Sequence, residues 1–252
     1  MTASVLGFDI GVSSIKFARV NTDAGTILGE TTSVPLPQPA NPRVLLSAIK
    51  NSLDTMAWTG PFGVGFPGVV RHGRTLSAAH LDKSFIGHDW LSDLRSLSKA
   101  PVALINDADA AGLAEVRFGA ARSYSSPNSG TVLLATLGTG IGTALFHGGR
   151  LFPNTEFGHL QMGERDAEQW AAGAVRLKEQ LDWPEYGRRV DSFLKEMERL
   201  VSPDLIVLGG GISENFGLFR PYLTVGCDVV PAALGNNAGL IGAALAVSVI
   251  EL

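Results

Sequence analysis

The sequence predicts an α/β fold, arranged as one compact unit or as two closely packed lobes. Short β-branched and apolar runs alternate with segments whose apolar residues recur at helical spacing, which is the pattern of an α/β protein. A strand, a turn rich in glycine and hydroxyl residues, and a second strand follow one another once in each half of the chain. The 252 residues are 45% hydrophobic, which is enough to bury a sizeable core.

The composition argues against several classes of protein. A net charge of -4 disfavours a general nucleic-acid or membrane-surface binder, although it allows a local basic groove. Cys227 is the only cysteine, so we expect no disulfide framework, no cysteine zinc site and a reducing cytoplasm as the location. Residues 1–4 lead directly into a strand without a signal peptide. The apolar segment 238–250 is too short and too glycine-interrupted to span a bilayer and predicts a core helix.

The first strand-turn-strand arrangement opens the chain. We expect its strands over residues 5–10, 15–20 and 26–34. The turn offers the backbone of Gly11, the hydroxyls of Ser13 and Ser14 and the ammonium group of Lys16 to phosphate oxygens. Asp9, before the turn, is suited to hold a magnesium ion through water. An ordinary hairpin with an Asp-x-Gly turn has the same pattern.

A glycine-rich segment follows a predicted helix over residues 43–58. Gly63, Gly65 and Gly68 have the spacing of a G-x-G-x-x-G motif, but Pro67 interrupts it and a strand and turn follow instead of a helix. A dinucleotide site is therefore not expected. A bend at which the backbone approaches a small ligand fits the same residues.

A polar, irregular loop over residues 79–90 precedes a short predicted helix over residues 91–97. Phe85 stands beside Lys83 and Ser84 in this loop. An aromatic ring next to hydrogen-bonding groups suits a sugar, which presents apolar faces and hydroxyls. A solvated surface loop is the alternative.

The candidate catalytic carboxylate is Asp107. We expect a buried strand over residues 102–105 and a helix over residues 110–118. Asn106 and Asp107 lie between them, at the carboxyl end of the strand, where open α/β sheets bind their ligands. The alternative is that Asp107 or Asp109 only caps the helix.

The second strand-turn-strand arrangement contains Gly138, Thr139 and Gly140. We expect its strands over residues 131–136 and 144–146. It repeats the design of the first, so the two turns can grip a polyphosphate chain from both sides, unless the repetition is coincidental.

The remaining motifs lie in the second half of the chain. Glu156 and His159 are candidates for metal binding or, preferably, for hydrogen bonds to a polar substrate, because no cysteine cluster follows them. Glu168 lies near the start of a predicted amphipathic helix. Gly210 and Gly211 belong to a triple-glycine turn whose backbone can lie against a flat base. The other predicted elements are helices over 166–181 and from Pro184 to 200, strands over 205–208 and 229–232, and a final helix.

In this order and spacing, these motifs resemble those of the sugar-kinase, actin and Hsp70 superfamily, and within it the ROK sugar kinases. The runs 82–87 and 154–159 are most similar to the polyphosphate glucokinase branch of that family. The resemblance implies a two-lobed, ribonuclease H-like α/β fold with a cleft between the lobes. The implied lobes are residues 1–107 with the C-terminal helix 238–252, and residues 108–237. A homodimer is also implied.

The resemblance further implies phosphoryl transfer from inorganic polyphosphate or ATP, with Mg²⁺, to the 6-hydroxyl of glucose. Asp107 would be the base that accepts the hydroxyl proton, and Asp9 would orient the ion. The implied sugar contacts are Gly65, Gly68, Asn106, Glu156, His159 and Glu168. The implied contacts to phosphate and nucleoside are Gly11, Ser13, Ser14, Lys16, Gly138, Thr139, Gly140, Gly210 and Gly211.

The sequence departs from the family pattern in three ways. It lacks the cysteine cluster of the common ROK zinc site, so no structural zinc is expected. Val12 and Ser14 stand where the family usually has glycine, and the segment 164–189 holds few basic residues for a polyphosphate groove. Another hexose such as mannose, a non-catalytic sugar-binding ROK protein and an actin-like polymer are the alternatives. A ROK repressor is disfavoured because residues 1–4 are too few for its helix-turn-helix.

Overall fold

The computed structural model describes residues 4–249, which form two compact units. Residues 4–114 and 237–249 make up the first, and residues 115–236 the second. The predicted α/β class is confirmed. The lobe boundaries predicted from the sequence, at 107/108 and 237/238, remain predictions, and residues 1–3 and 250–252 lie outside the described part. None of the helices in residues 4–249 combines the length and apolar character that a membrane crossing requires.

The first unit is built on a sheet whose middle strands are buried on both faces. Its strands are β1 (Ser4–Ile10), β2 (Ser14–Asn21), β3 (Thr26–Pro35), β4 (Phe62–Phe66) and β7 (Val102–Asn106), with β5 (Val70–Arg71) and β6 (Arg74–Thr75) forming a separate small hairpin. The sheet order is β3-β2-β1-β4-β7. β1, β2 and β3 pair antiparallel, whereas β1, β4 and β7 run parallel. The carboxyl ends of the three parallel strands therefore meet at one edge.

Three helices follow the strands of the first unit in sequence, and the last of them continues past residue 114 into the second unit. They are α1 (Pro42–Thr55), α2 (Trp90–Arg95) and α3 (Asp107–Phe118). α1 begins where the Asn41 side chain accepts a hydrogen bond from the Val44 backbone N–H at 3.0 Å, and Pro42 fits its first turn. α3 leaves β7 without a loop, so the last strand residue and the first helical residue are neighbours in sequence.

The second unit repeats this sheet topology. Its strands are β8 (Thr131–Leu137), β9 (Ile141–His147), β10 (Arg150–Phe152), β13 (Leu205–Gly209) and β14 (Asp228–Pro231), with β11 (Gln161–Met162) and β12 (Arg165–Asp166) forming a separate hairpin. The sheet order is β10-β9-β8-β13-β14. β8, β9 and β10 pair antiparallel, whereas β8, β13 and β14 run parallel. The predicted repetition of strand, glycine turn and strand is thus confirmed and extends to all five strands.

The prediction of one continuous helix over residues 166–181 is wrong, because two short helices occupy this segment. The helices of the second unit are α4 (Ala167–Ala171), α5 (Gly173–Lys178), α6 (Trp183–Val201) and α7 (Phe216–Phe219). Between α4 and α5, Ala172 is extended, with ψ at 154°. The Ala174 backbone N–H donates to the carbonyl of Gly138 at 2.9 Å. That bond to the β8–β9 turn replaces a bond within the helix.

The last helix, α8 (Ala238–Val249), returns to the first unit and is apolar on every side. It packs directly on the backbone of the sheet, because a Cβ on Gly7 would collide with the carbonyl of Leu240 and one on Gly63 with that of Ala243. The predicted closing core helix is confirmed up to Val249.

Candidate active site

Asn106 and Asp107 occupy the junction between β7 and α3. The Asn106 Oδ1 accepts a hydrogen bond from the Asp109 backbone N–H at 2.9 Å, and its Nδ2 donates to the carbonyl of Gly68 at 3.1 Å. Asn106 therefore caps α3 and fixes the bend at Gly68. The half-buried Asp107 accepts the Ala108 N–H at 2.8 Å, and the helix N-terminus favours its negative charge. The cap of the third helical residue is thus Asn106, not Asp107.

Asp9 and Asp107 lie on either side of Gly65. Asp9 is paired with Gly65 across the parallel strands β1 and β4. A Cβ built on Gly65 would stand 3.7 Å from the Asp107 Cα and 3.9 Å from Asp9 Oδ1. The first unit thus brings Asp9, Gly65, Gly68, Asn106 and Asp107 to one sheet edge, although these residues are far apart in sequence.

Asp9 is a half-buried carboxylate beside a cation. Its burial raises the pKa of the carboxyl group above the ordinary value, while the charge of Lys16, its partner across β1 and β2, lowers it. The first turn of α8 closes the other side, because a Cβ on Gly239 would stand 3.1 Å from Asp9 Cγ. Further positive charge near Asp9 would therefore be stabilising.

This environment fits Mg²⁺ arriving with a phosphate donor. Magnesium is often held through one or two carboxylates, retained waters and the phosphates of the substrate. In residues 4–249, no three His, Cys, Asp or Glu side chains are arranged to hold a metal ion. A single half-buried carboxylate such as Asp9 matches a site that the substrate phosphates complete.

We expect Asp9→Asn to raise the melting temperature at neutral pH. Because the folded pKa of Asp9 lies above 3.8, the ionised group opposes folding, and stability is lost as pH rises through the folded pKa. The neutral amide removes this cost, and each kcal/mol gained should raise Tm by about 2–4 °C. Thermal unfolding followed by circular dichroism between about pH 4 and 8 measures the difference, which should shrink near the ordinary Asp pKa of about 3.9.

The exposed Asp23→Asn is the matched control and should leave Tm unchanged across the same range, since Asp23 lies in the β2–β3 turn. A lower Tm for Asp9→Asn than for wild type at neutral pH would contradict the assignment of Asp9 as an electrostatic cost to folding.

The first glycine turn joins β1 to β2. The Gly11 N–H donates to the carbonyl of Ser14 at 2.9 Å, and the carbonyl of Ser13 accepts the Leu36 N–H at 2.9 Å. Val12 is 46% exposed, so the valine side chain that replaces the family's glycine does not occupy the interior of the turn. The hydroxyls of Ser13 and Ser14 and the ammonium of Lys16 remain predicted phosphate contacts.

The second glycine turn joins β8 to β9 and packs against the triple-glycine turn. The Gly138 N–H donates to the carbonyl of Gly140 at 3.0 Å. Gly210 has φ of 78°, and a Cβ on it would stand 2.7 Å from the carbonyl oxygen of Leu137. Both features require glycine. The second unit therefore brings Gly138, Thr139 and Gly140 next to Gly210 and Gly211.

Glu156, His159 and Glu168 form one cluster in the second unit. His159 Nε2 lies 3.8 Å from Glu156 Oε2, and His159 Nδ1 lies 3.8 Å from Glu168 Oε1. Burial raises the pKa of Glu156, the interaction with His159 lowers it, and the negative charge of Glu168 raises it further. A Cβ on Gly140 would stand 2.6 Å from Glu168 Oε2. The cluster therefore borders the second glycine turn.

Asp166 belongs to the same cluster, although it was not among the candidates predicted from the sequence. Its Oδ2 lies 3.5 Å from His159 Nδ1. The only signal in the sequence is its position two residues before Glu168, at the start of α4. The β11–β12 hairpin brings it back to His159, and hairpins this short leave little periodicity to detect.

The interpretation of Phe85 as a sugar-binding ring is wrong. Phe85 is fully buried, with ring centroids 5.1 Å from Phe66 and 5.1 Å from Trp90. The three rings form a core cluster under the loop. The sequence did not predict this core cluster, because a single apolar residue in a polar loop gives no periodicity.

The basic residues of the segment 164–189 are largely engaged within the unit. Glu179 accepts hydrogen bonds from Arg165 at 2.8 Å and from Arg189 at 2.7 Å. The guanidinium group of Arg189 lies 4.1 Å from the ring centre of Trp170, and that of Arg176 lies 3.6 Å from that of Trp183. These contacts hold the guanidinium groups against neighbouring side chains.

Comparison with known proteins identifies the family of the chain. The ROK family profile matches residues 5–174. Polyphosphate glucokinase of Mycobacterium tuberculosis (strain H37Rv) is 44% identical over 241 residues, which cover 95% of this chain and 89% of that protein. Glucokinase of Streptomyces coelicolor is 26% identical over 318 residues, covering 95% of this chain and 96% of that protein.

Solved structures agree with this match. The inorganic polyphosphate/ATP-glucomannokinase of Arthrobacter sp. strain KM has a TM-score of 0.91 at 40% identity, covering 99% of this chain and 100% of that chain. A ROK family glucokinase from Streptomyces griseus, in complex with glucose and AMPPNP, has a TM-score of 0.82 at 23% identity, covering 96% and 98%. The predicted fold, that of the actin-like sugar kinases, is confirmed. The chain belongs to the ROK family.

Proposed function

We propose that this protein is a hexose kinase that transfers a phosphoryl group from inorganic polyphosphate or ATP to the 6-hydroxyl of glucose. The observation that carries the proposal is the position of Asp107, at one sheet edge with Asp9 and Gly65. The 44% identity to a polyphosphate glucokinase over 95% of the chain supports the same activity.

Asp107 is the proposed general base. It accepts the proton of the sugar hydroxyl as that oxygen attacks the terminal phosphorus, which typically contributes about 10²- to 10⁴-fold to the rate. Asn106 holds the bend at Gly68 through its Nδ2. Gly65 has no side chain between the two carboxylates, so a hydroxyl can approach Asp107.

The two glycine turns are the proposed phosphate-binding elements. The backbone N–H of Gly140 and the hydroxyls of Ser13, Ser14 and Thr139 can donate hydrogen bonds to phosphate oxygens, whereas the N–H groups of Gly11 and Gly138 donate within the turns and set their shape. Lys16 adds a positive charge. Asp9 would hold Mg²⁺ through water when the ion is bound with the donor, and the ion would supply charge neutralisation at the transferred group. With ATP as donor, Gly210 and Gly211 would lie against the nucleoside.

The cluster of Glu156, His159 and Glu168 is the proposed binding site for the other hydroxyls of the sugar. Carboxylates and an imidazole offer acceptors that match hydroxyl donors.

We further propose that the protein acts in the cytoplasm, as its single cysteine is consistent with a reducing compartment. A homodimer is proposed from the family resemblance.

Phosphorylation assays with two donors and two sugars test this function. Polyphosphate and ATP are each combined with glucose and with mannose, and the sugar 6-phosphate is measured directly. We expect glucose 6-phosphate with at least one donor. Mannose is the second candidate, since the similar Arthrobacter protein is called a glucomannokinase. Sugar binding without phosphorylated product under every combination would support the non-catalytic alternative instead.

A further inference from the structure

The His159 imidazole lies between carboxylates on both of its nitrogen atoms. On the Nδ1 side, Asp166 Oδ2 is at 3.5 Å and Glu168 Oε1 at 3.8 Å, and on the Nε2 side Glu156 Oε2 is at 3.8 Å. The His159 side chain is 58% exposed and that of Asp166 34%. Which nitrogen carries the proton of the neutral ring therefore decides what Nε2 can offer to a sugar.

The carboxylate of Asp166 does not cap helix α4, although Asp166 stands at the position where a cap is expected. Asp166 is the N-cap residue of α4, yet its side chain makes no capping hydrogen bond. An aspartate at an N-cap ordinarily accepts a backbone N–H of the first turn. By contrast, the side chain of Asp182, the N-cap residue of α6, accepts the Glu185 N–H at 2.8 Å. The orientation of Asp166 toward His159 therefore has another cause than capping.

Hydrogen bonds hold the backbone next to both Asp166 and His159. Asp166 is paired with Gln161 in the β11–β12 hairpin. The Ala167 N–H donates to the carbonyl of Leu160, the residue after His159, at 2.8 Å. The hydrogen bond between Asp166 Oδ2 and His159 Nδ1 is not formed at its usual length of about 2.7–3.2 Å, because the two atoms are 3.5 Å apart. Such bonds are often long in free enzymes and shorten when the substrate binds.

Glu168 is less suited to hold the Nδ1 proton. Its Oε1 is farther from Nδ1 than the Asp166 oxygen is, and its Oε2 faces the second glycine turn, where a Cβ on Gly140 would stand 2.6 Å away. The two carboxylates thus face different groups.

We propose that Asp166 is a positioning residue that accepts the Nδ1 proton of His159 and so selects the tautomer with a free Nε2. Nε2 then accepts a hydrogen bond from one sugar hydroxyl, and the Glu156 carboxylate accepts one from the adjacent hydroxyl. A carboxylate that fixes a histidine tautomer in this way is a recurrent arrangement. The sugar as ligand rests on the proposed function, whereas the tautomer does not.

The test uses Asp166→Ser, because serine caps a helix as well as aspartate does but does not reach the imidazole. Two-bond proton–nitrogen spectra of the labelled protein report the tautomer, at a pH about two units above the usual histidine pKa of about 6.5, with His159→Gln identifying the signal. We expect the Nδ1–H form in wild type and a shift toward the Nε2–H form in the variant. Asp166→Asn, which keeps an acceptor oxygen, should restore much of the Nδ1–H form.

Sugar affinity is the second readout. Calorimetric titration with glucose should give a dissociation constant about 10- to 100-fold weaker for Asp166→Ser. In an active enzyme, KM for glucose should rise while kcat changes less, and KM for polyphosphate should not change. Asp182→Ser is the matched control: it should leave both the His159 spectrum and glucose affinity as in wild type.

The outcomes separate this inference from the proposed function. A His159 spectrum that is the same in Asp166→Ser and wild type would overturn the inference and assign the Nδ1 contact to Glu168. An unchanged glucose affinity despite a changed tautomer would overturn the link to the sugar. Absence of phosphorylation in wild type, with the spectral shift intact, would count against the kinase proposal but not against the tautomer.

Discussion

Asp107→Asn is expected to lower the rate of glucose phosphorylation by about 10²- to 10⁴-fold, the usual contribution of a general base. The amide has nearly the shape of the carboxylate and keeps an oxygen that can accept the Ala108 N–H, a bond of 2.8 Å in the native protein. The start of α3 should therefore be preserved. The amide is not basic, so it cannot take the proton of the attacking hydroxyl.

Two measurements distinguish a lost base from a lost fold. Glucose binding by titration calorimetry should stay within about twofold of wild type, because the change removes an interaction that matters chiefly in the transition state. Asp54→Asn is the control, since Asp54 is an exposed carboxylate on α1 that pairs with Lys50 at 2.6 Å. Turnover by Asp107→Asn close to that of the control would remove Asp107 from the role of base.

The position of Asp107 could be predicted because it depends on local pattern alone. A buried apolar run followed by polar residues and a helical pattern indicates the carboxyl end of a strand, and such ends carry ligand sites in α/β sheets. The same pattern could not distinguish which polar residue caps the helix. That depends on the bend at Gly68, whose carbonyl holds the Asn106 amide from 38 residues away in sequence.

The predicted helix over 166–181 failed for a related reason. Its apolar residues do recur at helical spacing, but the bond from Ala174 to Gly138 breaks it and no periodicity within the segment reports a partner in a distant turn. Asp166 was missed because the hairpin that brings it to His159 has only two residues in each strand. In both cases the structure depends on contacts that no periodicity within the segment reports.

The two sheets have the same strand topology, and this repeat shows which features of the site could be predicted from the sequence. The first glycine turn follows the central strand β1, and the second follows the equivalent strand β8. Gly65 near the end of β4 corresponds to the triple-glycine turn at the end of β13, because both strands lie parallel to those central strands. The sequence revealed the two turns, but the pairing of the later strands depends on contacts distant in the chain.

Glu115→Ala is expected to destabilise the protein by about 3 kcal/mol or more, because it removes a charged acceptor that binds three partly buried backbone N–H groups. Glu115 lies in α3 and is 1% exposed. Its Oε2 accepts the backbone N–H groups of Ala120 at 2.7 Å and Ala233 at 3.1 Å, and its Oε1 accepts that of Leu234 at 2.8 Å. The carboxylate thus holds the segment after α3 to the segment after β14, and alanine would break all three bonds.

Denaturant unfolding and thermal melting measure this loss, with about 2–4 °C expected for each kcal/mol in a chain of this size. Glu115→Gln keeps one acceptor oxygen and should fall between alanine and wild type. Glu196→Ala is the matched control on α6, since Glu196 makes an exposed pair with Arg199 at 2.7 Å and such pairs contribute about 0–1 kcal/mol. If Glu115→Ala were no less stable than that control, the three backbone N–H groups would have to be solvated in the native protein, and Glu115 would not be what joins the two segments.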